Sequence, residues 1–465
     1  MTITTQIQAK PLRSMLPTVW ITLASIALIS CCFPQSASAW GNHTPPAYRA
    51  LEVMKEISHS PPVKVETLDS FLKAEEPGIQ ALMAAQELWA RANVDAYAPR
   101  PASLDYKANP AYTDAERRLA FFKALRIAQD SRFTLYVHPD ARAGEIRAPL
   151  LSYNAVNTLP EPANVAERFI AISPGEYRSV LEVVASASSE PDYGLDINCF
   201  EDNPGDWGKT YGFGTLSFGN PAYTYSSQAP FHMGFFHESG IIYKAGPFVK
   251  RTFPLLRAHQ YSSLAIFAFK TGHAYWGWRF TGMALHYVQD LTQPYHARLS
   301  PGESTPRVIS ANVLAMIGLP SMKQNLIVLL ANRHVALEQY QSQLVRNAAK
   351  AKADTPVVLA LRNSGKDAGY PAWSDAYIKD VVSRQSATYG DRIAATLIAT
   401  LPAEFVNDPT QNFGSGGNVD LVGALSKIDA AQRDELDTAI AEMLGNFGSH
   451  SRNMIRGILK AAAMP

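Results

Sequence analysis

Cysteine is nearly absent from this chain. Its 465 residues hold three, at positions 31, 32 and 199. A disulfide framework is therefore excluded as the source of stability, which must come from a packed core and bound metals. Basic excess is lacking too: 42 Lys and Arg stand against 41 Asp and Glu, so no overall positive field points to nucleic acid. Long apolar runs are confined to one stretch, from Leu16 to Phe33, and no other is long enough to span a bilayer. Internal repeats are also missing. What remains, 47% hydrophobic and 18% charged, is the composition of an ordinary globular protein.

The one apolar run follows Lys10 and Arg13 and precedes Ala37-Ser38-Ala39, the pattern of a secretory signal with a small-residue cleavage site. Residues 1–39 are expected to be removed, which leaves 40 basic and 41 acidic residues and a single cysteine, Cys199. The expected destination is the periplasm or the exterior. A competing reading takes Leu28-Ile-Ser-Cys31 as a lipoprotein box that acylates Cys31.

Helical patterning dominates, and the fold class expected is mostly α. Ser173-Pro-Gly-Glu176 has the form of a capping box and predicts a helix through Val183. The segment from Cys199 to Ser227 is rich in Gly, Asn, Pro and aromatics and reads as a long loop. Helices are expected over about 247–270, 275–291 and 321–350, with others after Ser374, Asp429 and Ser449. Gly277 and Gly282 inside the second of these imply close helix contact. Asn412 to Asn418 reads as a connector. The stretch from about 100 to 160 is less regular, with a helix over 115–128 and a short strand over 133–137. Val313-Leu-Ala-Met-Ile-Gly-Leu319 is apolar and reads as core or as a lipid contact.

The chemistry is concentrated in His286-Tyr-Val-Gln-Asp290-Leu-Thr-Gln-Pro-Tyr-His296. His286 and Asp290, one helical turn apart, share a face and can enter one site. Pro294 turns the chain before His296 and re-aims it toward a second, nearby metal. His334 and Glu338 repeat the i, i+4 arrangement. Histidine with carboxylates and without cysteine suits zinc in a catalytic role. Cleavage after Ala39 would expose the α-amino group of Trp40, whose pKa of about 7.7–8.0 lets a metal displace its proton. His43 stands three residues on.

Together these residues resemble the superfamily of trinuclear zinc phospholipases C and single-strand-specific zinc nucleases. The matching elements are an N-terminal Trp with a nearby His, the acid of Pro191-Asp192-Tyr193, a following His, then H-x3-D-x5-H and H-x3-E, in that order. The resemblance covers the N-terminal helix and about 189–340. It implies a multi-helix fold that holds three zinc ions. Asp192, His232, His286 and Asp290 would hold one; Asp290 would bridge to a second, completed by Trp40 and His43; His296, His334 and Glu338 would hold the third. Asp192 would also be the general base. His237 competes with His232, and Asp196 and Asp202 compete with Asp192 as ordinary turn acids. Tyr193 is either a cation–π contact for a choline-type head group or a packed loop residue.

On this resemblance the chain divides into a signal peptide (1–39), a trinuclear zinc catalytic domain (40–350) with an insertion around 100–160, and a helical region (351–465) packed on it. Glu338, where the nuclease branch carries Asp, favours the phospholipase branch. The expected activity is hydrolysis of glycerophospholipids at a membrane surface, without a stable nucleic-acid partner. The alternatives are a single-strand nuclease or 3′-nucleotidase, and a secreted protein whose zinc sites are structural.

Overall fold

Helix Ala274–Asp290 is apolar on nearly every side, and every residue from Tyr275 to Asp290 is buried. A helix without a polar face belongs in the middle of a domain. Here it lies against helices Pro254–Lys270, Val180–Ala187 and Ala430–Ala461. Gly282 permits the second of these approaches: a Cβ there would sit 2.5 Å from the Val184 carbonyl oxygen and 2.6 Å from the Ala187 Cβ. Gly277 likewise yields its space to the Phe269 ring.

This computed structural model describes residues 42–144, 146–162, 165, 167–219, 224–413 and 419–464, all within the compact unit Gln35–Pro465. With 61% of residues helical and 3% extended, the mostly α expectation holds. Two small antiparallel sheets accompany the helices. Val63–Lys64 pairs with Tyr177–Arg178, Val63 facing Arg178. Phe169–Ala171 lies between Tyr136–Val137 and Leu150–Leu151, with Ile170 opposite both Val137 and Leu150. Among the described residues no helix is long and apolar enough to cross a membrane.

Local rules misplaced several boundaries. Ser173 does not open a helix. Gly175 adopts φ +91° in a turn, a conformation closed to a helix interior. The capping box is formed six residues later, by Ser179 and Glu182. The helix expected from about 247 begins at Pro254, because Pro247–Lys250 is a separate 3-10 turn and the second proline sets a new first turn. Ser449 caps nothing; it is buried inside the continuous helix Ala430–Ala461. Residues 414–418 of the expected connector lie outside the described residues. By contrast, the helix over Ser321–Lys350 has the bounds that its periodicity predicts.

The C-terminal helix reaches the centre of the molecule. Arg452 donates to the Ala50 carbonyl at 3.0 Å, and Ser451 accepts from the Gln289 amide at 3.1 Å. The last helix is thereby tied both to the first described helix, Thr44–Leu51, and to the central one.

Candidate metal centre

Six short elements deliver the candidate ligands to the buried end of the central helix. His286 and Asp290 occupy its last turns. The chain then reverses: the Gln293 side chain caps the helix Pro294–Ala297, which carries His296. His334 and Glu338 come from Ser321–Lys350. His43 is the residue before helix Thr44–Leu51, Asp192 sits in the 3-10 turn Glu190–Tyr193, and His232 ends the helix Ala229–His232.

Five of these side chains converge. His286 Nε2 lies 2.9 Å from His232 Nδ1 and 3.2 Å from Asp290 Oδ2. His232 Nδ1 is 2.8 Å from the same carboxylate oxygen. Asp192 Oδ1 stands 3.7 Å from His286 Nε2 and 3.8 Å from His232 Nδ1. On the other side His43 Nε2 is 3.3 Å from Asp290 Oδ1 and 3.8 Å from Asp192 Oδ2. Asp290 therefore turns Oδ2 toward His286 and His232 and Oδ1 toward His43.

His296, His334 and Glu338 make a third group. Their ligand atoms are separated by 2.9, 3.3 and 2.6 Å. Tetrahedral coordination with bonds of ~2.1 Å needs edges of ~3.4 Å, so an ion fits with sub-ångström spreading. Tyr295 stacks on the His334 ring at 5.7 Å between centroids, and Gln293 donates to Glu338 Oε1 at 3.1 Å.

The outward nitrogens set the tautomers. His286 Nδ1 donates to the Ser188 carbonyl at 2.8 Å, and His296 Nδ1 donates to the His232 carbonyl at 2.9 Å. His43 Nδ1 faces the Gln289 amide oxygen at 2.9 Å, an orientation fixed because the Gln289 amide nitrogen donates to Ser451. His232 Nε2 faces Asp196 at 3.4 Å, and Asp196 is itself held by Arg257 at 2.7 Å and Tyr287 at 2.7 Å. Each of these rings thus turns one nitrogen outward to a fixed partner and the other inward, which is how histidine ligands are oriented around metals.

Burial holds His286 down at about 3, a neutral ligand-ready ring. Burial also lowers His232, yet Asp196, Asp290 and Asp192 together raise it to about 10. Glu338 is held at about 2 against burial by His334 and His296, and the imidazoles of His286 and His296 hold Asp290 well below the carboxylate range. Burial pushes Asp192 well above that range. Oδ1 of Asp192 and Oδ1 of Asp290 are buried without a hydrogen-bond partner. Arg257 balances Asp196, but among the described residues no Arg or Lys pairs with Asp192, Asp290 or Glu338. Buried carboxylates without cations are costly, and divalent ions answer both the charge and the converging lone pairs. Several of these groups could hold a metal ion.

Of the residues expected from sequence, His43, Asp192, His232, His286, Asp290, His296, His334 and Glu338 are assembled here. Trp40, like residues 1–39, lies outside the described residues. His237 points elsewhere, to the Lys379 carbonyl at 2.7 Å. Tyr193 is packed: it is buried among Tyr136, Tyr153 and Phe169, with its hydroxyl 2.6 Å from His138 Nε2. Sequence reasoning overlooked Gln289 and the Ser188 carbonyl, and treated Asp196 as a turn acid. Only the i+3 spacing of Gln289 from His286 hinted at a role.

An apolar cavity of about 660 Å³ opens on this centre, reaching His232, His296, His334 and Glu338. Its walls include Leu216, Phe218, Met233, Phe235, Leu326 and Leu330, and the volume is that of a small-molecule site. His334, 14% exposed, is the most open of the ligand side chains. Comparison with protein-family models, curated proteins and solved structures gave no match.

Proposed function

We propose that this protein is a secreted zinc-dependent phospholipase C. It would hydrolyse the glycerol-side phosphodiester of glycerophospholipids to diacylglycerol and a phosphorylated head group. The observation that carries this reading is the juxtaposition of the His296, His334 and Glu338 group with an apolar cavity whose walls, among the described residues, contain one Lys, Lys323, and no Arg. Nucleic-acid grooves track their ligand with many cations, whereas acyl chains require an apolar wall.

In this reading the three ligand groups would each hold a zinc ion, and the metals would supply Lewis acidity for phosphodiester hydrolysis. Asp192, His232, His286 and Asp290 hold the first. Asp290 and His43 would hold the second, with the Trp40 amino group completing it if the signal is cleaved after Ala39. His296, His334 and Glu338 hold the third. Three carboxylates against three divalent ions leave the centre cationic, which suits a phosphodiester anion. Asp192 would be the general base in this reading, and its buried Oδ1, which has no hydrogen-bond partner, supports that role. The multi-helix fold of the phospholipase C and zinc nuclease superfamily belongs to the same proposal.

The test is direct. Purified mature protein, with and without a chelator, is incubated with phosphatidylcholine vesicles and with single-stranded DNA. Metal-dependent release of phosphocholine is expected. Release of nucleotides alone would make the protein a nuclease or 3′-nucleotidase, and release of neither would make its metals structural.

A further inference from the structure

The apolar segment Val313 to Leu319 is exposed. Val313 is 52%, Met316 86%, Ile317 68% and Leu319 58% accessible. These residues form the end of helix Thr305–Met316 and the turn into Ser321–Lys350. Phe248 and Ile327, 39% and 37% accessible, line the cavity that leads to His334 and Glu338, and Ile327, on helix Ser321–Lys350, follows Leu319 by eight residues. Helices Thr305–Met316 and Gly240–Ala245 are locked together beneath by Ile242, Val249, Val308, Ala311 and Leu326, so this apolar surface sits on a rigid base. Contiguous exposed apolar surface next to a cavity marks an interaction site.

Charge identifies the occupant. No Asp or Glu occurs between Glu238 and Asp290, nor between Glu303 and Glu338. Lys323 stands in the cavity wall and Lys244 and Lys250 lie on elements packed with helix Thr305–Met316, while Arg307 is paired with Glu303 at 2.7 Å and Asp202 is the one acid besides Glu338 in the cavity wall. Exposed apolar side chains on segments that carry lysine and no acid suit the surface of an anionic membrane.

Geometry gives the surface a purpose. Ile327, at the rim, and Glu338, at the ligand group, are eleven residues apart on one helix, which is ~16 Å of rise. That is about one hydrocarbon leaflet, half of the ~30 Å core. A lipid whose phosphate reaches Glu338 must be drawn out by most of its acyl length, and the apolar walls replace the bilayer around it.

We infer that the tip from Val313 to Leu319, with Phe248 and Ile327, is a docking surface for anionic phospholipid bilayers and delivers lipid into the cavity. This deepens the phospholipase reading and rests on it for the delivery, but docking is measurable alone. The full mature chain and the double variant Met316→Glu, Ile317→Glu are compared, after equal thermal stability is confirmed. Co-sedimentation uses vesicles of phosphatidylcholine alone and of phosphatidylcholine with phosphatidylglycerol in equal parts. Hydrolysis is followed on those vesicles and on a short-chain phosphatidylcholine kept below micelle formation.

Wild type is expected to bind the mixed vesicles more tightly than the neutral ones. The double variant is expected to lose at least about tenfold in vesicle binding and similarly in vesicle hydrolysis, with monomer hydrolysis unchanged. Equal vesicle binding by wild type and variant overturns the inference, as does wild type that binds no vesicle. Self-association abolished by the variant, without vesicle binding, would give the surface to a second copy of the chain. Loss of vesicle binding in a protein that hydrolyses neither substrate would leave docking standing and remove the phospholipase.

Discussion

Nε2 of His286 lies 2.9 Å from Nδ1 of His232, while the other nitrogen of each ring faces outward, to the Ser188 carbonyl and to Asp196. Two inward lone pairs at this separation repel unless a proton or a cation lies beside them. With Asp290 Oδ2 at 2.8 Å from one and 3.2 Å from the other, the trio is already shaped for an ion.

Metal should therefore stabilise the fold. Binding at a thousandfold excess over Kd contributes ~4 kcal/mol per site. Chelator treatment is expected to lower Tm, and stoichiometric zinc to restore it. The check is thermal unfolding paired with elemental analysis. An unchanged Tm in a protein that takes up no metal would refute the centre.

Gln289→Met is expected to weaken metal binding by roughly 10–100-fold, the usual effect of losing an outer partner of a histidine ligand. Methionine keeps the volume but removes the amide oxygen that holds His43 Nδ1. Zinc titration against a competing chelator reads the effect. Affinity equal to wild type would show that His43 is not a ligand.

Gly282→Ala is expected to destabilise by about 1–3 kcal/mol. The added methyl meets the Val184 carbonyl oxygen at 2.5 Å, and backbone cannot swing aside. Helix Val180–Ala187 must back away, taking with it the Ser188 carbonyl that orients His286. Urea unfolding and metal affinity should fall together. A loss of stability with full metal affinity would separate helix packing from the site.

Acid should destabilise the chelated protein through two buried histidines outside the centre. Burial lowers His138 to about 4 and His450 to about 3. Both rings are satisfied as neutral species, His138 between Arg168 and Tyr193, His450 between Tyr377 and Gln385. Above the unfolded pKa of ~6.5 neither state carries the proton. As pH falls from 6.5 toward 4, only the unfolded chain takes it, so stability declines by up to ~1.4 kcal/mol per pH unit for each ring. Unfolding free energies of wild type and His450→Gln across this window should diverge by that slope; parallel curves would exclude the mechanism.

Sequence reached furthest where the determinant is local. The pairs His286 with Asp290 and His334 with Glu338 follow from helical spacing alone, and Pro294 dictates that His296 leaves the helix line. Helix Ser321–Lys350 was legible from one end to the other. Boundaries failed where a nearby competitor had the same local signature: Ser173 against Ser179 as a cap, Pro247 against Pro254 as a first turn. Gly175 decided the first, because its positive φ serves the turn that returns the chain to Val63–Lys64.

By itself, then, the sequence determined which side chains could ligate and which of them share a helical face, because covalent spacing and backbone periodicity carry that information. Only the tertiary structure decided that His232 rather than His237 enters the centre, that Asp196 orients His232 while Asp192 faces the ligands, and that Gln289 bridges His43 to the C-terminal helix. It also decided that the run from Val313 to Leu319 is surface and not core. These outcomes depend on contacts between residues as far as 246 positions apart, and no periodicity along a chain encodes which distant surfaces will meet.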